Sequence, residues 1–264
     1  MFLTIRISTR FDTLDYVDLH SHVLWGLDDG ARTPKDALEM LQILRSLGFR
    51  TVYATPHQKQ GEFLPAAPDI AARHADVTRR LQEAGLDLDL HLGAENFWDE
   101  VFLERAQCDQ QPSYRKGPEV PSGRDTPAFL LEFPVMQLPP RLIEQLFAFR
   151  LRGRLPVLAH PERYVPLWGQ RARLEQIART AALVVDLAAL EGAHGPERAR
   201  AARYLVQEGL CHAVASDLHQ VADARPVAAG MAWIKKRLGP ARLQALLADA
   251  PRQIVAGQLP DLPG

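Results

Sequence analysis

Short apolar runs alternate along this chain with longer amphipathic stretches, and the pattern predicts strands and helices in turn. Tyr16–His20 reads as a strand, and Thr33-Pro34 opens a helix that Gly48 closes. Thr33 can cap that helix, Pro34 suits its first position, and Leu38, Leu41 and Leu44/Leu47 form its apolar stripe. A β-rich run follows over Phe49–Thr55. A helix from about Pro68 ends at Gly85, and Leu86–Gly93 alternates with period two. Further along come a strand at Ala128–Phe133, a helix at Pro140–Arg152 and a strand at Pro156–His160. Helix 170–180 leads into Leu183–Leu187, helix 196–208 leads into Leu210–Ala215, and helical segments finish the chain. Seven strands joined mostly by helices predict a parallel sheet, and so many βα units in series favour a closed or distorted barrel over an open sheet.

Two stretches do not fit this alternation. Residues 106–127, punctuated by Pro112, Gly117, Pro118, Pro121 and Gly123, read as a mobile loop insertion. Residues 1–15 precede the first motif and form an N-terminal extension, either a short extra strand or an unstructured arm. The expected organisation is one α/β domain over 16–264, with no internal repeat.

Composition narrows the function classes. At 264 residues and 47% hydrophobic content the chain can bury a full core. Thirty-one Lys and Arg balance 32 Asp and Glu, so no global field points to nucleic acid or a membrane surface, and an anionic ligand must be captured locally. Cys108 and Cys211 are too few for a disulfide framework. The start of the chain carries no secretory pattern, and no segment reaches the ~20 apolar residues of a membrane span. A cytoplasmic protein is expected.

The chemistry gathers where apolar runs end. His20 and His22 stand two apart at the end of the first strand, so period two puts both imidazoles on one face about 7 Å apart. Asp29 follows in Asp28-Asp29-Gly30, a sequence that alone is more often a turn. Pro56 keeps Thr55 extended and aims His57 out of the second strand. Glu95 ends the third strand after a glycine that permits close approach. Glu132 is a lone carboxylate inside an apolar strand, where burial without a cation or hydrogen-bond donors costs several kcal/mol. His160 caps Pro156-Val157-Leu158-Ala159, and Asp217 and His219 repeat the alternate-residue spacing of the first strand. Taken singly, most of these residues suit ordinary turns and surface loops. Jointly, five histidines and four carboxylates fall at the C-terminal ends of predicted parallel strands, where barrel active sites lie. Imidazole and carboxylate without thiolate suit Mn²⁺, Fe²⁺, Zn²⁺ or Co²⁺, and nine donors exceed the needs of one ion.

These segments resemble the PHP (polymerase and histidinol phosphatase) superfamily, and within it the bacterial protein-tyrosine phosphatases of capsular and exopolysaccharide clusters. Asp18-Leu19-His20-Ser21-His22 with Asp28-Asp29-Gly30, Ala54-Thr55-Pro56-His57, Gly93-Ala94-Glu95, Ala159-His160-Pro161-Glu162-Arg163-Tyr164 and Ser216-Asp217-Leu218-His219 match that branch in order, over roughly 16–237. The resemblance implies a distorted (β/α)7 TIM-like barrel and a trinuclear centre of divalent ions, with Mn²⁺ expected first. His20, His22, Glu95 and Asp217 would hold one ion; Glu95, Glu132 and His160 a second; Asp29, His57 and His219 the third. Arg163 and Arg225 match arginines that contact phosphate. The implied reaction is attack of a metal-bridging hydroxide on a phosphotyrosine protein, in particular a bacterial tyrosine autokinase governing polysaccharide synthesis or export.

Three rival readings differ in chemistry. A phosphoesterase for a small phosphomonoester such as histidinol phosphate would keep the site and change the substrate. A non-catalytic metal-binding module would require lost ligands, yet all nine positions are filled. A cysteine-nucleophile phosphatase needs Cys-x5-Arg, but the residue six after Cys211 is Asp217 and six after Cys108 is Tyr114. Among aromatics near the ligand segments, Trp25 and Phe63 are the candidates for the wall of a phosphotyrosine slot, the others being expected to pack the loops.

Overall fold

A computed structural model describes residues 14–115 and 128–262. Strand β1 (Tyr16–Ser21) leads to helix α1 (Pro34–Ser46), then β2 (Phe49–Ala54), the short β3 (His57–Gln58) and α2 (Ala67–Glu83). Next come β4 (Asp89–Leu92), β5 (Glu95–Phe97), α3 (Glu100–Gln107), β6 (Ala128–Glu132), α4 (Leu142–Leu151) and β7 (Leu155–Ala159). Helix α5 (Arg171–Ala178), β8 (Ala182–Asp186), α6 (Pro196–Gln207), β9 (Ala213–Ala215) and α7 (Ala224–Leu238) follow, and α8 (Pro240–Gln244) and α9 (Ala250–Val255) close the chain. The cap expected from Thr33 is present, and the structure completes it as a capping box. Its hydroxyl accepts from the Asp36 amide at 3.2 Å, and the Asp36 carboxylate accepts from the Thr33 amide at 3.0 Å.

Every strand pair is parallel. The ladder is split into a three-stranded sheet, β1-β2-β4, and a six-stranded sheet, β3-β5-β6-β7-β8-β9. The split arises because two staves break after their first segment. Pro56 separates β2 from β3, and Gly93-Ala94 separates β4 from β5. Counting each broken stave once leaves the seven expected, and the result is a distorted (β/α)7 barrel. Closure falls between the first and last staves, where the His22 amide donates to the Leu218 carbonyl (2.9 Å) and the Asp217 amide to the His20 carbonyl (2.9 Å).

Two apolar clusters divide the interior as the architecture demands. Alternate strand residues Val17, Leu19, Tyr53, Leu130, Val157 and Val184 gather with Tyr114 and Ile254 inside the barrel. Their neighbours Tyr16, Val52, Phe129, Leu158 and Leu183 face the surrounding helices. Period two then carries the inward row on from Leu130 to Glu132, from Val184 to Asp186 and from Ala215 to Asp217, so apolar filling gives way to polar chemistry at the C-terminal mouth.

Part of the segment 106–127 departs from the expected mobile loop. Ala106 and Gln107 finish α3, the Arg115 amide donates to the Leu92 carbonyl at 2.7 Å, and Tyr114 is fully buried. The Tyr114 hydroxyl donates to the Leu19 carbonyl at 3.0 Å inside the barrel. A lone aromatic among polar neighbours gave no periodic signal for this plug. The rest, 116–127, and residues 1–13 of the N-terminal extension lie outside the described residues.

Candidate metal centre

The broken staves position the site. After β2, Thr55 stays extended, its amide donating to the Ser21 carbonyl at 2.8 Å, and Pro56 delivers His57 to the mouth. Glycine suits position 93 between β4 and β5, since a Cβ there would lie 3.0 Å from both Thr55 Cγ2 and Tyr114 Cδ1 and would press on them. The loop after β1 folds back so tightly that a Cβ on Gly30 would lie 2.2 Å from the His22 carbonyl oxygen. Glycine there lets Asp28 and Asp29 sit beside the histidines. His160 (φ 32°) and Asp217 (φ 48°) are both left-handed, a conformation that costs non-glycine residues about 1–3 kcal/mol and persists where surroundings impose it.

All nine candidate donors meet at this mouth. Glu95 is the hub, 1% exposed. Its Oε2 lies 3.1 Å from His20 Nε2, 3.4 Å from His22 Nε2 and 3.0 Å from His57 Nδ1, while its Oε1 lies 2.8 Å from His160 Nε2. Glu132 approaches His160 at 3.8 Å. Asp217 Oδ1 lies 3.3 Å from His20 and 3.6 Å from His22. Asp29 reaches His57 at 3.3 Å and His219 at 3.5 Å. Donor atoms within 4.8 Å of one another form the sets His20-His22-Glu95, His57-Glu95-Glu132 and His22-Asp29-His57-His219. Thus His22 stands between the first and third expected groups, and His57 between the second and third.

The donor set fits divalent ions. The buried Asp217 Oδ1 makes no hydrogen bond although imidazole nitrogens surround it, the arrangement expected of atoms directed at a shared cation. The lining of the adjoining cavity is acid-rich, and four carboxylates crowd around Arg163. A phosphate dianion would be repelled from such a site unless cations offset the charge.

Protonation follows from burial and neighbours. Burial pulls the His57 imidazole down, but the Glu95 and Asp29 carboxylates outweigh it and hold it at about 10. Burial pushes Glu95 up, but His20, His57 and His160 outweigh it and keep this carboxylate well below its usual range. Glu132 is pushed to about 7 by burial and by the Glu95 charge. Burial and Arg163 lower His160 to about 4, so its lone pair is available.

One prediction follows for the chelated protein. Because the His57 value is raised on folding, its contribution to stability is complete below about 6.5 and is lost as pH rises through about 10. The thermal stability of the chelated protein should therefore fall as pH rises between these limits. Metal affinity should rise over the same range as the ions displace imidazole protons. A chelated protein that gained stability across the range would contradict this charge pattern.

A further cluster holds Arg163. Its Nη2 donates to Asp186 Oδ2 at 3.0 Å and also bonds Asp217. Asp186, His194 and Asp217 present donor atoms within 4.8 Å of one another, but the guanidinium occupies their centre, which leaves no room for an ion there. Burial disfavours the Arg163 cation, yet Asp217 and Asp186 raise its pKa and secure the charge. Arg225 lies exposed in the first turn of α7 and is not among the residues lining the cavity at the mouth. That cavity, about 710 Å³, is lined by Asp29, Arg32, Arg163, His194, Asp217 and His219 among others.

Sequence reasoning passed over several residues that set this geometry. Asp28 accepts from His22 Nδ1 at 2.9 Å and from the His57 amide at 3.0 Å, fixing the orientation of the first ring. Asp18, pushed by burial to about 6, accepts from the Ser216 amide at 2.9 Å and from its hydroxyl at 2.5 Å, tying the first stave to the last. Asp186 ends an apolar strand just as Glu132 does, which was a usable signal. Of the two slot candidates, Phe63 stacks on His57 with centroids 5.8 Å apart. Trp25 instead turns to α2, where its Nε1 donates to Asp76 at 3.0 Å and Arg73 covers its ring at 3.7 Å. The available cation and carboxylate on α2 draw the indole away from the mouth.

Comparison with known proteins gives this chain a lineage. The family described as "Capsular polysaccharide synthesis, CpsB/CapC" matches residues 16–256. The chain belongs to the CpsB/CapC family. Among its relatives, tyrosine-protein phosphatase CpsB of Streptococcus pneumoniae is 28% identical over 251 residues, covering 92% of this chain and 99% of that protein. Tyrosine-protein phosphatase YwqE of Bacillus subtilis is 31% identical over 208 residues, 78% of each. A solved structure from work on YwqE and CpsB, described as metal-dependent tyrosine phosphatases, superposes with a TM-score of 0.79 at 25% identity, covering 92% of this chain and 95% of that one. An organophosphorus hydrolase variant from Deinococcus radiodurans shares the fold alone, with a TM-score of 0.57 at 12% identity over 92% of this chain and 93% of its own.

Proposed function

We propose that this CpsB/CapC chain is a metal-dependent protein-tyrosine phosphatase. The observation that carries the reading is the convergence of nine histidine and carboxylate donors, with Glu95 among four of the histidines, beside a fixed arginine. The expected ligand groups are His20, His22, Glu95 and Asp217; Glu95, Glu132 and His160; and Asp29, His57 and His219. They suit two or three ions, with Mn²⁺ first and Fe, Zn²⁺ or Co²⁺ as alternatives. When bound, such ions supply Lewis acidity and a water activated near neutral pH.

The residues of the chain do the remainder. Arg163 presents a planar fork that can bind two phosphoryl oxygens, and Asp186 keeps that fork at the mouth. Arg225 stands outside the lining and would reach the phosphate only by a side-chain movement. Phe63, stacked beside His57, offers one face to a tyrosyl ring. The proposed substrate is a phosphotyrosine protein, specifically a bacterial tyrosine autokinase of polysaccharide synthesis or export, met in the cytoplasm. Among the described residues no helix is long and apolar enough to cross a membrane.

The test is phosphate release by Mn²⁺-loaded protein from a phosphotyrosine peptide, beside a phosphoserine peptide and histidinol phosphate, with and without chelator. Chelator-sensitive preference for phosphotyrosine is expected, and preference for histidinol phosphate would replace the substrate. Cys211→Ser should leave this activity nearly unchanged. Cys211 is fully buried, burial pushes its thiol to about 12, and so little thiolate exists to attack phosphorus. Lost activity in folded, metal-loaded Cys211→Ser protein would reopen cysteine chemistry.

A further inference from the structure

His194 is the one histidine lining the mouth cavity that stays outside the nine-donor cluster. It sits in the turn Gly192-Ala193-His194-Gly195, where both glycines are left-handed (φ 86° and 96°) and let the chain bend back over β8. Its Nε2 meets Asp186 Oδ2 at 2.6 Å and lies 3.4 Å from Arg163 Nη2. The Asp186 side chain is 1% exposed, and its other oxygen is fixed by the Ala188 amide at 2.7 Å. A buried, fully bonded carboxylate thus orients a partly exposed imidazole, and Arg163, which shares that carboxylate, fixes where a phosphate would dock.

This pairing has the form of a proton donor and the group that aims it. In the imidazolium form Nε2–H donates to Asp186 and the exchangeable proton is the one on Nδ1. The ring lies in the cavity lining, 33% exposed and within 3.4 Å of Arg163, so a phosphate held by that guanidinium would sit beside it. Arg163 would stabilise the phosphoryl oxygens together with any bound ions, but a guanidinium held by two carboxylates is no proton donor to a departing phenolate. Tyrosine has a pKa of about 10, so its phenolate is a poor enough leaving group at neutral pH to benefit from a proton.

We infer that His194, oriented by Asp186, donates the proton to the leaving tyrosyl oxygen. The inference rests on the phosphatase reading and adds a catalytic residue to it. As the bond from phosphorus to the attacking water oxygen forms, the bond to the phenolic oxygen breaks. The electron pair of that bond leaves on the phenolic oxygen, which takes the His194 Nδ1 proton. A proton released from the attacking water returns through solvent to the imidazole, so the products are a neutral tyrosine and inorganic phosphate. Asp186 is a positioning residue: it touches the ring and Arg163, not the substrate.

The experiment compares Mn²⁺-loaded, full-length wild type and His194→Gln on aryl phosphates of graded leaving-group acidity, from 4-nitrophenyl phosphate to a phosphotyrosine peptide. Metal content is measured for each preparation. For His194→Gln, kcat on phosphotyrosine should fall about 10²-fold, the usual scale of general acid catalysis, with little loss on 4-nitrophenyl phosphate and unchanged metal content. The plot of rate against leaving-group pKa should steepen accordingly. His194→Ala should repeat the pattern, which guards against an effect peculiar to the amide. Equal losses on every substrate, or no loss on phosphotyrosine, would overturn the donor role while leaving the phosphatase reading intact. A metal-loaded wild type that hydrolyses none of these esters would remove that reading and the inference with it.

Discussion

Replacing Glu95 with Gln is expected to abolish phosphatase activity and to lower bound metal. Glu95 lies within 3.4 Å of four histidines, and no other side chain at the mouth has that reach. The amide keeps the shape and removes the charge that balances the imidazoles and would draw in the ions. Losing metal forfeits several kcal/mol of transition-state stabilisation, so kcat/KM should drop by at least about 10³-fold. Metal analysis and phosphate release on the same preparation check both halves. A folded Glu95→Gln protein with wild-type metal content and turnover would refute the hub. His160→Ala should lose activity and metal in the same direction, since it removes the partner of Glu95 Oε1.

The second large effect is expected at Arg163. Arg163→Ala should retain metal yet lose about 10²–10³ in kcat/KM, the usual scale for removing one preorganised donor to a developing oxyanion. Arg163→Lys is the informative companion. An ammonium restores a charge opposite Asp186 and Asp217 but cannot span two phosphoryl oxygens with a planar fork. Stability should therefore recover in the lysine variant while most of the kinetic deficit remains. Full kinetic recovery with lysine would mean that Arg163 acts as a simple point charge, and wild-type kcat/KM in the alanine variant would exclude any role.

Much of this arrangement was legible in residue order because it follows period two. The inward row in β6 runs Ala128, Leu130, Glu132, and in β9 it runs Ala213, Ala215, Asp217, so an acid two places beyond an apolar inward residue falls at the mouth. The same count in β8, through Ala182 and Val184, arrives at Asp186, which was overlooked because no histidine or metal motif surrounds it. Other features had no periodic signature. The register of β1 against β2 shifts between Asp18 and Ser21, so Leu19 fills the barrel while His20 and His22 join the mouth cluster. Alternation alone cannot forecast such a slip. Trp25 was drawn to Arg73 and Asp76 on a helix about fifty positions along the chain, a contact created only by tertiary packing.

The seam between the first and last staves carries a consequence for descent. His20, His22, Asp217 and Leu218 make the backbone bonds that shut the barrel, and Asp18 reinforces them through Ser216. The candidate metal centre and the clasp of the fold therefore share one stretch of main chain. Because those bonds belong to the main chain, a descendant could exchange the donor side chains and keep its cylinder fastened, provided Asp18 and Ser216 stay. Loss of chemistry with the barrel intact is thus open to this lineage, and Asp18 and Ser216 are the pair whose loss the cylinder itself would feel.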